Sequence, residues 1–267
     1  GRGAAYGDTL ANLMAASGWQ VLREYYINDA GRQVDVLTLS VWLRYLELGG
    51  ARITMPKRCY PADYIVRTAE ALRAAHGAAF EQPLEAVVGG LGEEPQVPEG
   101  ADDKTKDSIK LGQEKFADGL IERVKALLGA HYDTLTQAAL ADQLATIRST
   151  LESFNVRYDH WASEKALVER GFVETAIARL REKGFVYEKD GAQWLKTSER
   201  GDEKDRVLFK ADGAATYFAN DLAYHVDKLD RGYPLLIDVW GADHHGYIAR
   251  VRAAIEMLTG KKDALEV

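Results

Sequence analysis

Cysteine is almost absent from this chain of 267 residues, which holds only Cys59. A single thiol forms no internal disulfide and no cluster of thiolate metal ligands, and this usage fits a reducing compartment. No apolar run reaches the roughly 18 residues that a membrane-spanning helix needs, and no charged and then apolar leader opens the chain. We therefore expect a cytoplasmic protein with no membrane partner.

An excess of positive charge is also missing. Lys and Arg number 34 against 41 Asp and Glu, so the formal net charge is −7. Because neutralising a nucleic-acid backbone needs clustered Lys and Arg, this balance excludes a chain-wide nucleic-acid surface and leaves room only for a local patch. The 46% of hydrophobic and 28% of charged residues are typical of a globular protein with a sizeable core.

The segment from Pro234 to Gly246, PLLIDVWGADHHG, predicts a strand that leads into a turn and a helix. Five of the six residues from Leu235 to Trp240 are large and apolar, as in a parallel strand buried on both faces, and Asp238 is the exception. Gly241 then breaks the run. Polar residues between a strand end and a helix start lie where open α/β sheets bind ligands. Here they are Asp243, His244 and His245.

The preceding segment, Thr216 to His225, predicts a helix with two different faces. Tyr217, Asp221 and His225 recur at i, i+4 and i+8, while apolar residues share another face. An amphipathic surface helix with a solvated Asp221 would show the same pattern. The second polar cluster close by weakens this simpler explanation.

The remaining segments predict an α/β fold in which a parallel sheet flanked by helices is interrupted by a mostly helical insertion. We expect residues 1–57 and 151–267 to form the two halves of the sheet domain and residues 58–150 to form the insertion. A small β-hairpin insertion is expected near residues 184–210. Other expected elements are a strand at Trp19–Ile27, helices at Ala4–Ser17, Val34–Leu46, Pro61–Gly77, Thr105–Leu128, Leu135–Leu151 and Ser163–Lys183, and a loop at Glu81–Asp103.

The turn after the predicted strand Trp19–Ile27 has two explanations. Asn28 or Asp29 is a good N-cap for the next helix, which is the simpler explanation. Because the turn follows a strand end, it can also wall the ligand site.

Several blocks of the sequence occur in the order known from one family. They are GRGAAYGDTLANLM at the start, REYYINDAGRQ (Arg23–Gln33), YPADYI (Tyr60–Ile65), FNVRYDHW (Phe154–Trp161), WLKTSERGDEKDRVLFKADG (Trp194–Gly213), YFANDLAYH and VWGADHHGY. Together they resemble the catalytic domain of arginyl-tRNA synthetase, a class I aminoacyl-tRNA synthetase. The resemblance covers most of the chain and implies a Rossmann-like sheet with a connective insertion.

Two ATP-binding signatures of class I synthetases are absent from the sequence. They are His-x-Gly-His at the first strand-to-helix turn and Lys-Met-Ser-Lys in a late loop. The opening residues Gly1 to Tyr6 match the residues expected directly after the first signature, and Val267 lies before the expected place of the second. We therefore expect an internal fragment that is inactive alone, with a parent protein that is an arginine–tRNA ligase.

The resemblance implies that the parent protein activates L-arginine with ATP and transfers it to tRNA-Arg. ATP is then a substrate accompanied by Mg²⁺, and we expect no tightly bound cofactor and no resident metal site. The absent signatures would supply most of the triphosphate binding, so no catalytic residue is assigned. We also expect a monomer.

By resemblance, Asp221 is the carboxylate that binds the planar guanidinium fork of arginine, and Tyr217 hydrogen-bonds to it or stacks on it. Gly241 would let adenosine approach the strand end, where a carboxylate accepts bonds from ribose hydroxyls. The implied nucleotide-binding residues are Gly241, Asp243, His244 and His245. The family pattern Asn-x-x-Gly-x-Gln supports a pocket wall made of Asn28, Asp29, Gly31 and Gln33.

Two alternatives from other functional classes remain. Asp243, His244 and His245 could form the metal site of a hydrolase, because carboxylate and imidazole both ligate zinc. Adjacent histidines project differently from one helix start, however, and the sequence places no third ligand. A non-catalytic binding domain derived from a synthetase is the other alternative, and the absent signatures suggest it.

Overall fold

The computed structural model describes all residues from Gly1 to Val267, and the fold is mixed α/β. The helices are α1 (Arg2–Ala16), α2 (Arg32–Leu48), α3 (Asp63–His76), α4 (Leu84–Val88), α5 (Asp103–Leu128), α6 (Ala130–Ser153), α7 (Glu164–Glu169), α8 (Phe172–Glu182), α9 (Tyr217–Asp230) and α10 (His245–Thr259). The strands are β1 (Glu24–Ile27), β2 (His160–Ser163), β3 (Val186–Lys189), β4 (Ala192–Leu195), β5 (Arg206–Phe209), β6 (Leu236–Ile237) and β7 (Leu265–Glu266).

The chain forms two compact units, residues 1–28 with 151–267 and residues 29–150. The second unit therefore begins before residue 58, where the sequence predicts the start of the helical insertion. None of the helices in either unit is both long and apolar enough to cross a membrane.

The first unit contains three small sheets. Strands β1 and β2 pair in parallel, and so do β6 and β7. Strands β3, β4 and β5 form an antiparallel sheet, in which Asp190 and Gly191 make the tight turn between the first two strands with φ values of +53° and +73°. Positive φ at both central residues matches the twist of a two-residue hairpin. The α/β class is thus confirmed, but no strand joins the two parallel pairs into one sheet.

The strand predicted at Leu235–Trp240 is shorter than its apolar run. Only Leu236 and Ile237 pair with β7, and the backbone N–H of Asp238 adds one bond to the Glu266 carbonyl at 2.8 Å. Ile237 is 37% exposed and Val239 41%. The expected burial on both faces is therefore wrong for this segment, because the face that carries Ile237 and Val239 is not fully covered by other elements.

Two further expectations need correction. The single helix predicted at Ser163–Lys183 is two helices, α7 and α8, because Gly171 between them has φ +73°, a left-handed conformation that ends a helix. The segment Glu81–Asp103, predicted as loop, contains helix α4, whose Val87 is fully buried. A short apolar stretch among Gly, Pro and Glu residues gave no periodic pattern from which to predict that helix.

Helix α9 lies in the hydrophobic core of the first unit. It begins at Tyr217 because the Thr216 hydroxyl accepts a hydrogen bond from the N–H of Ala219 at 3.3 Å, which satisfies one free donor of the first turn. Its buried face includes Leu222 and Val226, which belong to one core cluster with residues of α8 and α10. This packing fixes the rotation of α9 and so determines where its polar side chains point.

The second unit is helical and packs around α2. Eleven of the helix residues are buried, and the core cluster contains Trp42, whose indole N–H donates to the Phe80 carbonyl at 2.8 Å. A buried indole N–H that finds a carbonyl leaves no unsatisfied donor at this point of the core.

Cys59 provides a test of this second core. It is 6% exposed, and burial raises the pKa of its thiol to about 11. Because the thiolate is the reactive form, we expect very slow reaction of the folded chain with an aromatic disulfide reagent at pH 8, followed by complete reaction in urea. Release of the coloured thiol product measures both. Rapid stoichiometric reaction without denaturant would contradict the burial of Cys59 in this core.

Candidate functional site

A cavity of about 650 Å³ lies within the first unit. Its walls come from α1, β1, α9, the segment Pro234–Trp240 and the start of α10. This volume is in the range of small-molecule sites. A smaller depression of about 390 Å³, near Arg179, Leu229 and Lys261, brings together no comparable set of buried polar groups. The larger cavity is therefore the candidate site.

Asp238 is a buried carboxylate in the cavity wall and binds two cationic side chains. Its Oδ2 lies 2.8 Å from Nε2 of His225, and its Oδ1 accepts a hydrogen bond from Nζ of Lys228 at 2.8 Å. Burial alone would raise the pKa of Asp238, but the hydrogen bonds and charges of His225 and Lys228 hold that pKa well below its usual range. Asp238 is therefore ionised at neutral pH.

His225 has an acceptor at each ring nitrogen. Nε2 faces the carboxylate of Asp238, and Nδ1 lies 2.6 Å from the main-chain carbonyl oxygen of Asp221. Since neither a carboxylate nor a carbonyl can donate, both nitrogens must carry a proton in this arrangement. The ring is then a buried cation that ties α9 to the segment after β6.

The other acidic side chains of the cavity wall differ in whether a cation accompanies them. Glu24 pairs with Nη1 of Arg231 at 2.6 Å, and Asp8 pairs with Nε of Arg23 at 3.2 Å. Asp221 has no ion pair within 4.0 Å, although its carboxyl group is mostly buried, and this burial is the main reason why its pKa is raised. Asp221 is therefore the one acidic group of this wall whose charge is not compensated by a close cation.

Tyr247, in the first turn of α10, is a polar neighbour of that carboxylate. Its hydroxyl is buried beside Asp221 but falls short of a complete hydrogen bond, and it has no other partner. Its ring contacts Phe218 and Trp240 edge-on or tilted, with centroids 6.3 and 5.9 Å away, and the guanidinium of Arg250 lies 4.7 Å above it. Burial raises the pKa of the phenol, which stays protonated.

The structure brings some of the predicted ligand-binding residues to the cavity and leaves others outside its wall. Asp221 and His244 line the cavity, whereas Tyr217 is 77% exposed and does not. Gly241, Asp243 and His245 are exposed and also lie outside the wall. The individual roles of all these residues stay predictions.

The polar turn after Ile27 is divided between the two units. Asn28 is exposed and closes the first segment of the first unit, whereas Asp29, Gly31 and Gln33 belong to the second unit. Gly31 precedes α2 with φ +78°, a conformation that favours glycine. The N-cap position of α2 is Gly31, so neither Asn28 nor Asp29 occupies it. A pocket wall made of these four residues stays a prediction.

Nothing in the geometry favours a metal hydrolase. Nδ1 of His244 lies 3.3 Å from Oδ1 of Asp243, but both side chains are mostly exposed, and the chain has no group of three His, Cys, Asp or Glu side chains arranged for a metal ion.

Sequence reasoning missed the residues that complete the cavity wall. Asp238 and His225 were visible as polar residues, and a lone carboxylate in an apolar run does indicate that a buried partner is needed. The sequence gives no comparable indication for Lys228 or Tyr247, because at either position it is equally compatible with an exposed and with a buried side chain.

Comparison with known proteins identifies the relatives of the chain. No protein-family model matches it. It is 47% identical over 271 positions to an arginine–tRNA ligase of Hydrogenovibrio crunogenus and 47% identical over 268 positions to one of Thioalkalivibrio sulfidiphilus, covering all of this chain and 44% of each relative. The chain is homologous to part of the arginine–tRNA ligases. It spans a little under half the length of these relatives.

A solved structure agrees with this similarity to the arginine–tRNA ligases. An arginyl-tRNA synthetase of Campylobacter jejuni superposes with a TM-score of 0.72 at 31% sequence identity, covering 99% of this chain and 49% of that one. The resemblance predicted from the sequence blocks is thus confirmed.

Asp238→Asn tests the charge network of this ligase homologue. The substitution leaves the buried Lys228 and His225 without their counter-charge, so we expect a loss of about 3 to 5 kcal/mol in the free energy of unfolding. Asp230→Asn is the matched control. Its pair with Arg179 is about 40% exposed on both sides, so that loss should stay below about 1 kcal/mol. Urea unfolding followed by circular dichroism compares the two, and equal small losses would contradict the network.

Proposed function

We propose that the protein containing this chain is an arginine–tRNA ligase that activates L-arginine with ATP and transfers it to tRNA-Arg. One observation carries the proposal: Asp221 is a mostly buried carboxylate, it lines a cavity of small-molecule size, and it has no close cation. A buried carboxylate without a counter-charge is costly, and a cationic ligand removes that cost. The homology to arginine–tRNA ligases supports arginine as this ligand.

The guanidinium of arginine suits Asp221 better than other common cations do. It presents a planar fork of donors that can bind both carboxylate oxygens at once. Four cations of the cavity wall are already engaged, since His225 and Lys228 bind Asp238, Arg231 binds Glu24 and Arg23 binds Asp8. We assign Tyr217 as a second contact to the guanidinium, one helical turn before Asp221.

ATP, accompanied by Mg²⁺, is the proposed second substrate. The arginine carboxylate attacks the α-phosphorus, a mixed-anhydride bond forms between that carboxylate oxygen and the phosphorus, and pyrophosphate leaves. Positioning and charge stabilisation supply most of the rate in such a step. We assign Gly241, Asp243, His244 and His245 to the nucleotide side. His244 in the cavity wall, 3.3 Å from Asp243, supports this placement.

We also propose a Rossmann-like arrangement for the sheet domain. Strands β1 and β6 are each paired along one edge, and residues of both line the same cavity. One further parallel strand between them would join the two pairs into one sheet, with Asp221 and His244 near its edge. The same proposal divides the chain into residues 1–57, 58–150 and 151–267 and includes a pocket wall at Asn28–Gln33. It also includes a monomeric state and a cytoplasmic location for the protein.

Arginine-dependent exchange of labelled pyrophosphate into ATP tests the activity. The complete protein from the encoding gene should exchange pyrophosphate with arginine and charge tRNA-Arg. Arginine binding without exchange or charging would instead indicate a non-catalytic binding domain, and absence of arginine binding would refute the proposal altogether.

Asp221→Asn in the complete protein tests the assignment of the arginine site. Removing the charge leaves a desolvated guanidinium unpaired, which corresponds to about 2 to 5 kcal/mol, or roughly thirty to several thousandfold in arginine affinity. The KM for ATP should hardly change. Asp243→Asn is the reciprocal variant and should mainly raise the KM for ATP. Steady-state exchange kinetics with each substrate varied in turn decide the matter, and an equal effect of Asp221→Asn on both substrates would refute the assignment.

A further inference from the structure

We propose that Tyr247 is a specificity-determining residue of the arginine site. Its hydroxyl orients the carboxylate of Asp221, and this orientation favours a planar guanidinium over a primary ammonium. The inference rests on the proposed function, because it concerns the same carboxylate, but it gives Tyr247 a role that the sequence analysis does not assign.

The Tyr247 ring is held in place by its surroundings. It lies between Phe218 and Trp240, with Arg250 over its face, and these contacts come from α9, the segment after β6 and α10. A ring that contacts side chains from three segments has little freedom to move its hydroxyl away. The hydroxyl therefore stays beside the Asp221 carboxylate, on the wall of the cavity.

The hydroxyl has no competing partner. It is buried and makes no complete hydrogen bond, which is an unfavourable state for a phenol unless a partner approaches. Asp221 offers such a partner, since an ionised carboxylate accepts bonds at about four lone-pair sites and a bidentate guanidinium uses only two of them. A small rotation of the carboxylate on ligand binding would complete the bond to Tyr247.

No other side chain fixes the plane of this carboxylate. His225 binds the main-chain oxygen of Asp221, and Lys228 is bound to Asp238. The last side-chain torsion of aspartate is intrinsically broad, so without a donor the carboxylate plane is poorly defined. Tyr247 supplies that donor.

The consequence is discrimination between cations. A guanidinium fork needs the carboxylate plane aligned with its own, whereas a lysine ammonium is a compact charge that tolerates many orientations. Loss of the hydroxyl should therefore weaken arginine binding more than lysine binding. A hydrogen bond to a charged group corresponds to a change of about tenfold to a hundredfold in affinity.

Tyr247→Phe in the complete protein tests the inference. We expect the KM for arginine in pyrophosphate exchange to rise at least tenfold, with the inhibition constant of L-lysine nearly unchanged, so that the preference for arginine over lysine falls by about the same factor. Tyr187→Phe is the matched control, because it removes a phenol bonded to Asp205 at 2.8 Å in the hairpin, outside the cavity. The control should leave this preference unchanged.

A double-mutant cycle separates orientation from a general loss of packing. In the Asp221→Asn background, Tyr247→Phe should have little further effect on arginine, because the charge that the hydroxyl orients is gone. Parallel losses for arginine and lysine, or additive losses in the cycle, would overturn the role of Tyr247 while leaving the proposed function intact. If the unmodified protein shows no arginine-dependent exchange or binding, the proposed function itself fails, and the role of Tyr247 fails with it.

Discussion

The charge network around Asp238 is the interaction on which the cavity wall depends. One buried carboxylate binds His225 and Lys228, and both cations come from the same helix, α9. The network therefore fixes α9 against the segment after β6. It also engages two cations that would otherwise neutralise Asp221, which lies one turn before His225 on that helix. Asp221 is left without a close cation because the two cationic side chains of α9 in the cavity wall, His225 and Lys228, bind Asp238 instead.

Two aspartates of one cavity thus have opposite electrostatic states. The pKa of Asp238 is lowered because hydrogen bonds and nearby charges outweigh its burial, whereas the pKa of Asp221 is raised because burial outweighs the weaker help from Tyr247 and His225. Buried ion pairs of the first kind stabilise a specific arrangement, and uncompensated groups of the second kind are typical of ligand sites. The distinction lies in partners and not in depth, since both carboxylates are largely withdrawn from solvent.

The sequence predicted the features that depend on residues close to one another along the chain. The i, i+4 spacing that links Asp221 to His225 predicts a shared helix face, and α9 indeed places both on the cavity wall. Tyr217 obeys the same spacing yet is largely exposed, because it is the first residue of the helix and no neighbouring element covers that turn. Periodicity predicts which residues share a helix face, but the burial of that face depends on packing partners elsewhere in the chain.

Long-range pairing explains the features that the sequence did not reveal. The apolar run around Ile237 predicts a strand buried on both faces, yet burial of a second face requires neighbours that no local pattern specifies. The partners of Asp238 lie 10 and 13 positions before it, on a helix whose rotation is set by contacts with α8 and α10. Tyr247 reaches Asp221 only because both helices pack into that common core. The orientation of the Asp221 carboxylate therefore depends on hydrophobic packing that is remote from it, and a core substitution that rotates α9 would change this carboxylate as surely as a substitution beside it.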